Sequence, residues 1–309
     1  MLAYFQQQST LGFNFIRSWH LRYLNYDYVG SSKNQFFRTL YLQLKKKNYL
    51  NGWHSVSPSP WPLLMAVSVY CMAVGLVLWM KKGFPYLLIV GIGSVCTIMS
   101  LWCRDVVREA TYQGAHTLRV VYNLKYAFFL FVVSEAMFFS GFFWAYLHCG
   151  LSPAPEIGVL WPPAGVKAIS PWGLPTLNTC ILIWSGCLVT ACHHSVKGGN
   201  QYNALKTLNF AWLLGILFTV IQYYEFRWCT YTIADSVYGS CFFILTGFHG
   251  FHVLVGTIFL VVCYYRMKWG HFTRNRHLGL ECAILYWHFV DVIWLIVYGL
   301  VYFWGYYKF

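Results

Sequence analysis

Two of the nine acidic residues in this 309-residue chain, Glu135 and Asp291, lie inside long apolar runs. A carboxylate in hydrocarbon is costly, so each needs a proton or a close partner. Glu135 reads in one of two ways. It is a proton-linked or lipid-contacting group, or a protonated acid hydrogen-bonded inside a helix bundle. Three histidines fall in similar surroundings. His249 and His252 are three apart, as are His288 and Asp291. That spacing puts each pair on one helical face, where hydrogen bonding between helices is the expected use. A bis-histidine haem site needs rings from facing helices at matching depth, and a di-iron carboxylate site uses Glu-x-x-His. Glu135, Glu225 and Glu281 all lack a His three residues on. The expectation is therefore no metal ligand in this chain. His193 and His194 read as interfacial groups at a helix end.

Basic residues suggest a second chemistry. Arg104 and Arg108 are one helical turn apart, as are Asp105 and Glu109. Two guanidiniums at headgroup level suit phosphate oxygens; pairing with the neighbouring acids is the alternative. A second cluster, Arg266, Lys268, Arg274 and Arg276, suits acidic headgroups such as cardiolipin. Of the eleven cysteines, none is paired as Cys-x-x-Cys, so they read as packing residues.

The elements that must carry these groups follow from composition. The chain is 58% hydrophobic and only 10% charged, too few charges for the surface of a soluble protein this size. Seven charge-poor windows occur, at 62–80, 84–103, 126–148, 174–192, 207–224, 236–265 and 283–307. Each approaches the ~20 residues that span a bilayer as a helix. The expected class is an all-α membrane protein of seven transmembrane helices. Glu135 then lies about 14 Å into the third, near mid-membrane.

Gap charges predict the orientation. The segment 1–61 and the gaps 104–125, 193–206 and 266–282 hold seventeen Lys and Arg; the remaining gaps hold five. Positive-inside bias places the N-terminus in a matrix or cytoplasm and the C-terminus opposite. The same bias accounts for the net charge of +13 without nucleic acid. Lys81, Lys82 and Gly83 make a tight turn between the first two windows, and the 22-residue gap 104–125 is expected to hold those two helices apart from the other five. Gap 149–173, with Pro153, Pro155, Pro162, Pro163 and Pro171, reads as an ordered irregular loop. Residues 1–57 are polar, basic and aromatic. They read as a retained N-terminal extension on the positive side, distinct from a transmembrane domain over 58–309.

Several strings carry a family resemblance. They are Pro58-Ser-Pro-Trp-Pro62, Arg104-Asp-Val-Val-Arg-Glu109, Tyr112-Gln-Gly-Ala-His116 and Ser134-Glu-Ala-Met-Phe-Phe-Ser-Gly-Phe-Phe-Trp144. Trp161-Pro-Pro163, Ser236-Val-Tyr-Gly-Ser240, Thr246-Gly-Phe-His-Gly-Phe-His252 and Tyr286-Trp-His-Phe-Val-Asp-Val-Ile-Trp294 follow in order. From about residue 57 onward the chain resembles the cytochrome c oxidase subunit III family of the haem–copper oxidases, of mitochondrial type.

The resemblance implies two helices plus five around a V-shaped cleft filled with phospholipid. It implies a non-catalytic core subunit of respiratory complex IV in the mitochondrial inner membrane, N-terminus in the matrix. Such a subunit supports assembly, lipid retention, stability and proton uptake during aerobic electron transport, beside subunits I and II and accessory subunits. Haem and copper sit in those partners, and this chain carries no redox centre. Glu135 becomes the buried carboxyl facing subunit I and the cleft. Arg104, Arg108, Glu109 and His116 become cleft headgroup positions, and Arg266 and Lys268 hold cardiolipin. The chain departs from the family twice. Trp102-Cys103 stands where two tryptophans are frequent, and Ala115 replaces a frequent His, leaving His116 alone in that role. Subunit III of a quinol-oxidising haem–copper oxidase is the alternative reading.

Overall fold

The computed structural model describes residues 54, 56 and 58–307. The extension expected over 1–57 therefore lies outside the described residues, apart from those two positions. Seven helices are long and apolar enough to cross a membrane: α1 (Trp61–Lys82), α2 (Tyr86–Thr111), α3 (Leu118–Leu151), α4 (Leu174–Gly198), α5 (Gln201–Trp228), α6 (Val237–Lys268) and α7 (Leu278–Val297). The last continues as a π-helical segment, Tyr298–Trp304. No β-strand occurs among the described residues. The chain divides into two compact units, Met1–Val106 and Val107–Phe309.

In the first unit, α1 and α2 form a hairpin. Pro62 opens α1, where its missing N–H costs nothing, and Gly83 closes it in the left-handed conformation (φ 70°). The helices touch backbone to backbone. A side chain on Gly75 would strike the Leu88 backbone, and one on Gly91 would lie 2.6 Å from Met72 Cα. In hydrocarbon there is little hydrophobic drive between helices, so close approach at small residues holds such pairs. At the far end Trp61 Nε1 donates to Asp105 Oδ2 at 2.8 Å. Leu63, Tyr70, Met80, Tyr86 and Val90 all point outward.

The second unit is a bundle in which α4, α5, α6 and α7 pack together and α3 lies against α6 and α7. Its largest buried side chains are Trp287, Trp294, Tyr146, Tyr238, Tyr302, Phe139, Phe218 and Phe242. Small residues make room for the rings. A Cβ on Gly215 would meet Thr257 Oγ1 at 2.5 Å and Trp287 at 2.7 Å. Both buried indoles are satisfied, Trp287 by Ser185 Oγ and Trp294 by Thr179 Oγ1, each at 2.9 Å. The helix starts are capped by Thr117, Asn200 and Ser236, whose side chains accept from Val120, Asn203 and Gly239.

The apolar windows locate every helix, but the polar gap 104–125 is not a loop. Helix α2 continues to Thr111 and α3 begins at Leu118, so only residues 112–117 are non-helical. The physical reason is length. At 34 residues, α3 spans about 51 Å against a hydrocarbon core of ~30 Å. Arg119 and Lys125 mark turns that lie in water or headgroups, not a break in the helix.

Candidate functional site

Glu135 occupies the midpoint of α3, and its partner comes from α6. His252 Nε2 lies 2.9 Å from Glu135 Oε2, and His252 Nδ1 donates to the Phe248 carbonyl at 2.7 Å. A carbonyl only accepts, so Nδ1 carries a proton. Nε2 is then either the acceptor of a carboxylic acid proton or the donor to a carboxylate. In both arrangements the pair shares one proton and is neutral as a whole, which removes the cost of a lone charge in hydrocarbon. Phe139 stands edge-on to the ring at 5.0 Å, and Tyr286 stacks on it at 6.3 Å. The Glu135 side chain keeps 23% exposure, on the outer surface of this unit. Ser134, Ala136, Met137 and Ser140 beside it are exposed too.

The other intramembrane groups act as pins between helices. His249 is fully buried, and its Nε2 donates to the Val290 carbonyl at 3.2 Å while the ring packs on Trp294 and Phe218. The interhelical hydrogen bonds expected of His249 and His252 do not go to Asp291 or His288. The structure gives them Val290 and Glu135 instead, because an i, i+3 pair spans enough arc for its members to face different neighbours. His288 bonds across to α4, its Nε2 3.1 Å from Thr190 Oγ1. Asp291 Oδ2 lies where a Cβ on Gly186 would sit 2.6 Å away, so only glycine admits it.

One buried acid escaped the sequence reading. Glu225 falls one residue beyond its apolar window, yet it is 3% exposed. Tyr302 OH donates to its Oε1, and Gln222 Nε2 reaches the same oxygen at 3.3 Å. Asn178 continues the chain to Gln222 Oε1 at 3.4 Å. Gln222, one turn before Glu225 in an otherwise apolar stretch, was the available signal.

The basic gaps of the second unit meet at one end. Tyr112 OH and His271 Nε2 are 3.1 Å apart, tying the 112–117 turn to the turn after α6. Lys125 pairs with Glu281 at 2.5 Å, Arg274 donates to the Gly198 carbonyl at 3.0 Å, and Gln201 donates to the Met267 carbonyl at 2.9 Å. Burial, then the Arg266 charge, hold the His271 ring below the usual histidine range. Arg266 lies over the Phe272 ring at 4.6 Å with its Nε unpartnered, and Lys268 is exposed. On α2, Arg108 is exposed, and Glu109 brings a carboxylate oxygen within 4.8 Å of a ring nitrogen of His116 in the 112–117 turn. In the first unit Arg104 pairs with Asp105 at 3.0 Å, the alternative its spacing left open.

These features define a multi-pass, all-α membrane protein whose buried polar groups pair between helices. Residues 51–306 match the family described as Cytochrome c oxidase subunit III. "Cytochrome c oxidase subunit 3" of Coturnix japonica is 48% identical over 255 residues, covering 82% of this chain and 98% of the relative. The proteins of the same name from Loxodonta africana and Pelomedusa subrufa are 47% and 46% identical, covering 82% and 84% of this chain and 98% and 99% of theirs. The chain belongs to the cytochrome c oxidase subunit III family.

Proposed function

We propose that this chain is a non-catalytic core subunit of cytochrome c oxidase, respiratory complex IV, in the mitochondrial inner membrane. The observation that carries the reading is the family match across nearly the full length of its relatives. Subunits I and II, with accessory subunits, are its partners; haem and copper belong to them. The chain supports assembly, lipid retention, stability and proton uptake. The cleft that the family resemblance implies holds phospholipid. Arg104, Arg108, Glu109 and His116 bind headgroups there, and Arg266 and Lys268 hold cardiolipin. The partly exposed Glu135, paired with buried His252, faces subunit I and the cleft, and the pair stays neutral as a whole while its shared proton moves between the two. Residues 1–57 form a basic extension on the matrix side, ahead of the transmembrane domain 58–309.

The test is affinity purification of the tagged chain from mitochondrial membranes. The expected result is co-purification of haem- and copper-containing subunits and cytochrome c oxidase activity, with faster inactivation during turnover when the chain is removed. Purification without haem, or with a quinol-oxidising complex, would refute the assignment.

A further inference from the structure

Where α4 ends and α7 begins, three potential ligands converge. His193 lies in the last two turns of α4, His277 directly precedes α7, and Glu281 is one turn into it. His193, His277 and Glu281 each bring one ligand atom within 4.8 Å of the others. The His277 ring is 5% exposed. Its Nδ1 donates to the Thr273 carbonyl at 3.0 Å, which leaves the Nε2 lone pair of the neutral ring directed into the cluster. That Nε2 lies 3.3 Å from Glu281 Oε1, yet no hydrogen bond satisfies it. His193 Nε2 is likewise buried without a partner. The two rings stand edge to face, 5.4 Å apart.

We propose that His193, His277 and Glu281 form a binding site for a divalent cation of the zinc class. Tetrahedral bonds of about 2.0–2.1 Å set ligand atoms roughly 3.3–3.4 Å apart. His277 and Glu281 already stand at that spacing, so only the His193 ring has to close in. Two imidazoles and one carboxylate suit zinc and its neighbours, and offer too few oxygens for calcium or magnesium. Three protein ligands leave the fourth position to water. An outer group of such a site is present as well: the Thr273 carbonyl orients the His277 ring.

The charges around the cluster moderate the affinity. Lys125, Lys197 and His194 face it against the single Glu281 carboxylate. Lys125 therefore competes with the cation for Glu281. The expectation of a metal-free chain rests on the absence of Cys-x-x-Cys and Glu-x-x-His and on histidine pairs three apart within α6 and α7. His277 and Glu281 are four residues apart, but His193 comes from another helix, 84 residues before His277.

The test uses the purified membrane complex that contains this chain, stripped with EDTA and then equilibrated with Zn²⁺ alone. Zinc is counted per complex, and a density map is collected with and without the ion. The expected result is a density peak among the three side chains, and a loss of one zinc per complex in His193→Gln and in Glu281→Gln. Lys125→Met is expected to tighten binding, which a purely structural ion pair would not do. Equal zinc counts in wild type and His193→Gln, or no peak at saturating Zn²⁺, would overturn the proposal. Should the variants fail to assemble, the wild-type map decides. Haem co-purification reads the subunit assignment separately, so each proposal can fail alone.

Discussion

Glu135 and His252 form a unit in which neither partner can be removed without stranding the other. Glu135→Ala leaves the His252 Nε2 unpaired in apolar surroundings, an expected cost of about 1–3 kcal/mol. Glu135→Gln still offers an N–H to that nitrogen and should leave assembly close to wild type. Thermal release of the chain from its complex measures both. A hydrophobic carbodiimide, which attacks carboxylic acids, should modify Glu135 before Glu225, since their residual exposures are 23% and 3%. Preferential modification of Glu225 would mean that the Tyr302 seal opens in the membrane. At this scale the sequence announces an anomaly but not its partner. Glu135 is conspicuous in an apolar run, whereas His252 lies 117 residues away, and only tertiary packing selects it over His249.

Helices show which interactions position these side chains. Gly75 and Gly91 let two backbones meet, so Gly75→Leu should cost more than the roughly 1–3 kcal/mol of ordinary overpacking, because backbone cannot step aside as a side chain can. Gly93, on the partner helix α2 with nothing within 4 Å of an added Cβ, is the control: Gly93→Ala should assemble normally. Yield of assembled chain from the two variants checks the contrast. Hydrophobic runs reveal helix existence because lipid demands continuous apolar surface. They fail at helix ends because a helix continues into water without changing its backbone, as α2 and α3 do.

The turn that joins two of those ends should respond to pH. His271 is held below the usual histidine range, so the folded turn binds fewer protons than the unfolded one. Its contribution to stability is present above about pH 6.5 and is lost as the pH falls below it. Protection of residues 112–117 against hydrogen exchange, measured relative to the intrinsic rate at each pH, should therefore fall in mild acid, since Tyr112 ties them to His271. In His271→Gln that loss of protection should vanish.

Across the whole molecule, charge decides which way the bundle faces. Seventeen of the twenty-two Lys and Arg lie in alternate gaps. Within the second unit those gaps come together through the Lys125–Glu281, Arg274–Gly198 and Tyr112–His271 contacts. Moving that end across the membrane would drag the nine Lys and Arg of those gaps with it, so the barrier to the opposite topology is the sum of many small penalties. The expected orientation puts Lys197, Lys206, Lys268 and Arg274 in the matrix, and Lys81, Lys82 and Lys167 on the opposite face. A membrane-impermeant amine reagent applied to mitoplasts should label Lys81, Lys82 and Lys167. It should reach Lys206 and Lys268 only in inverted vesicles. Labelling in the reverse order would show that the basic end faces outward, and would move the headgroup and cation sites proposed here to the other side of the membrane with it.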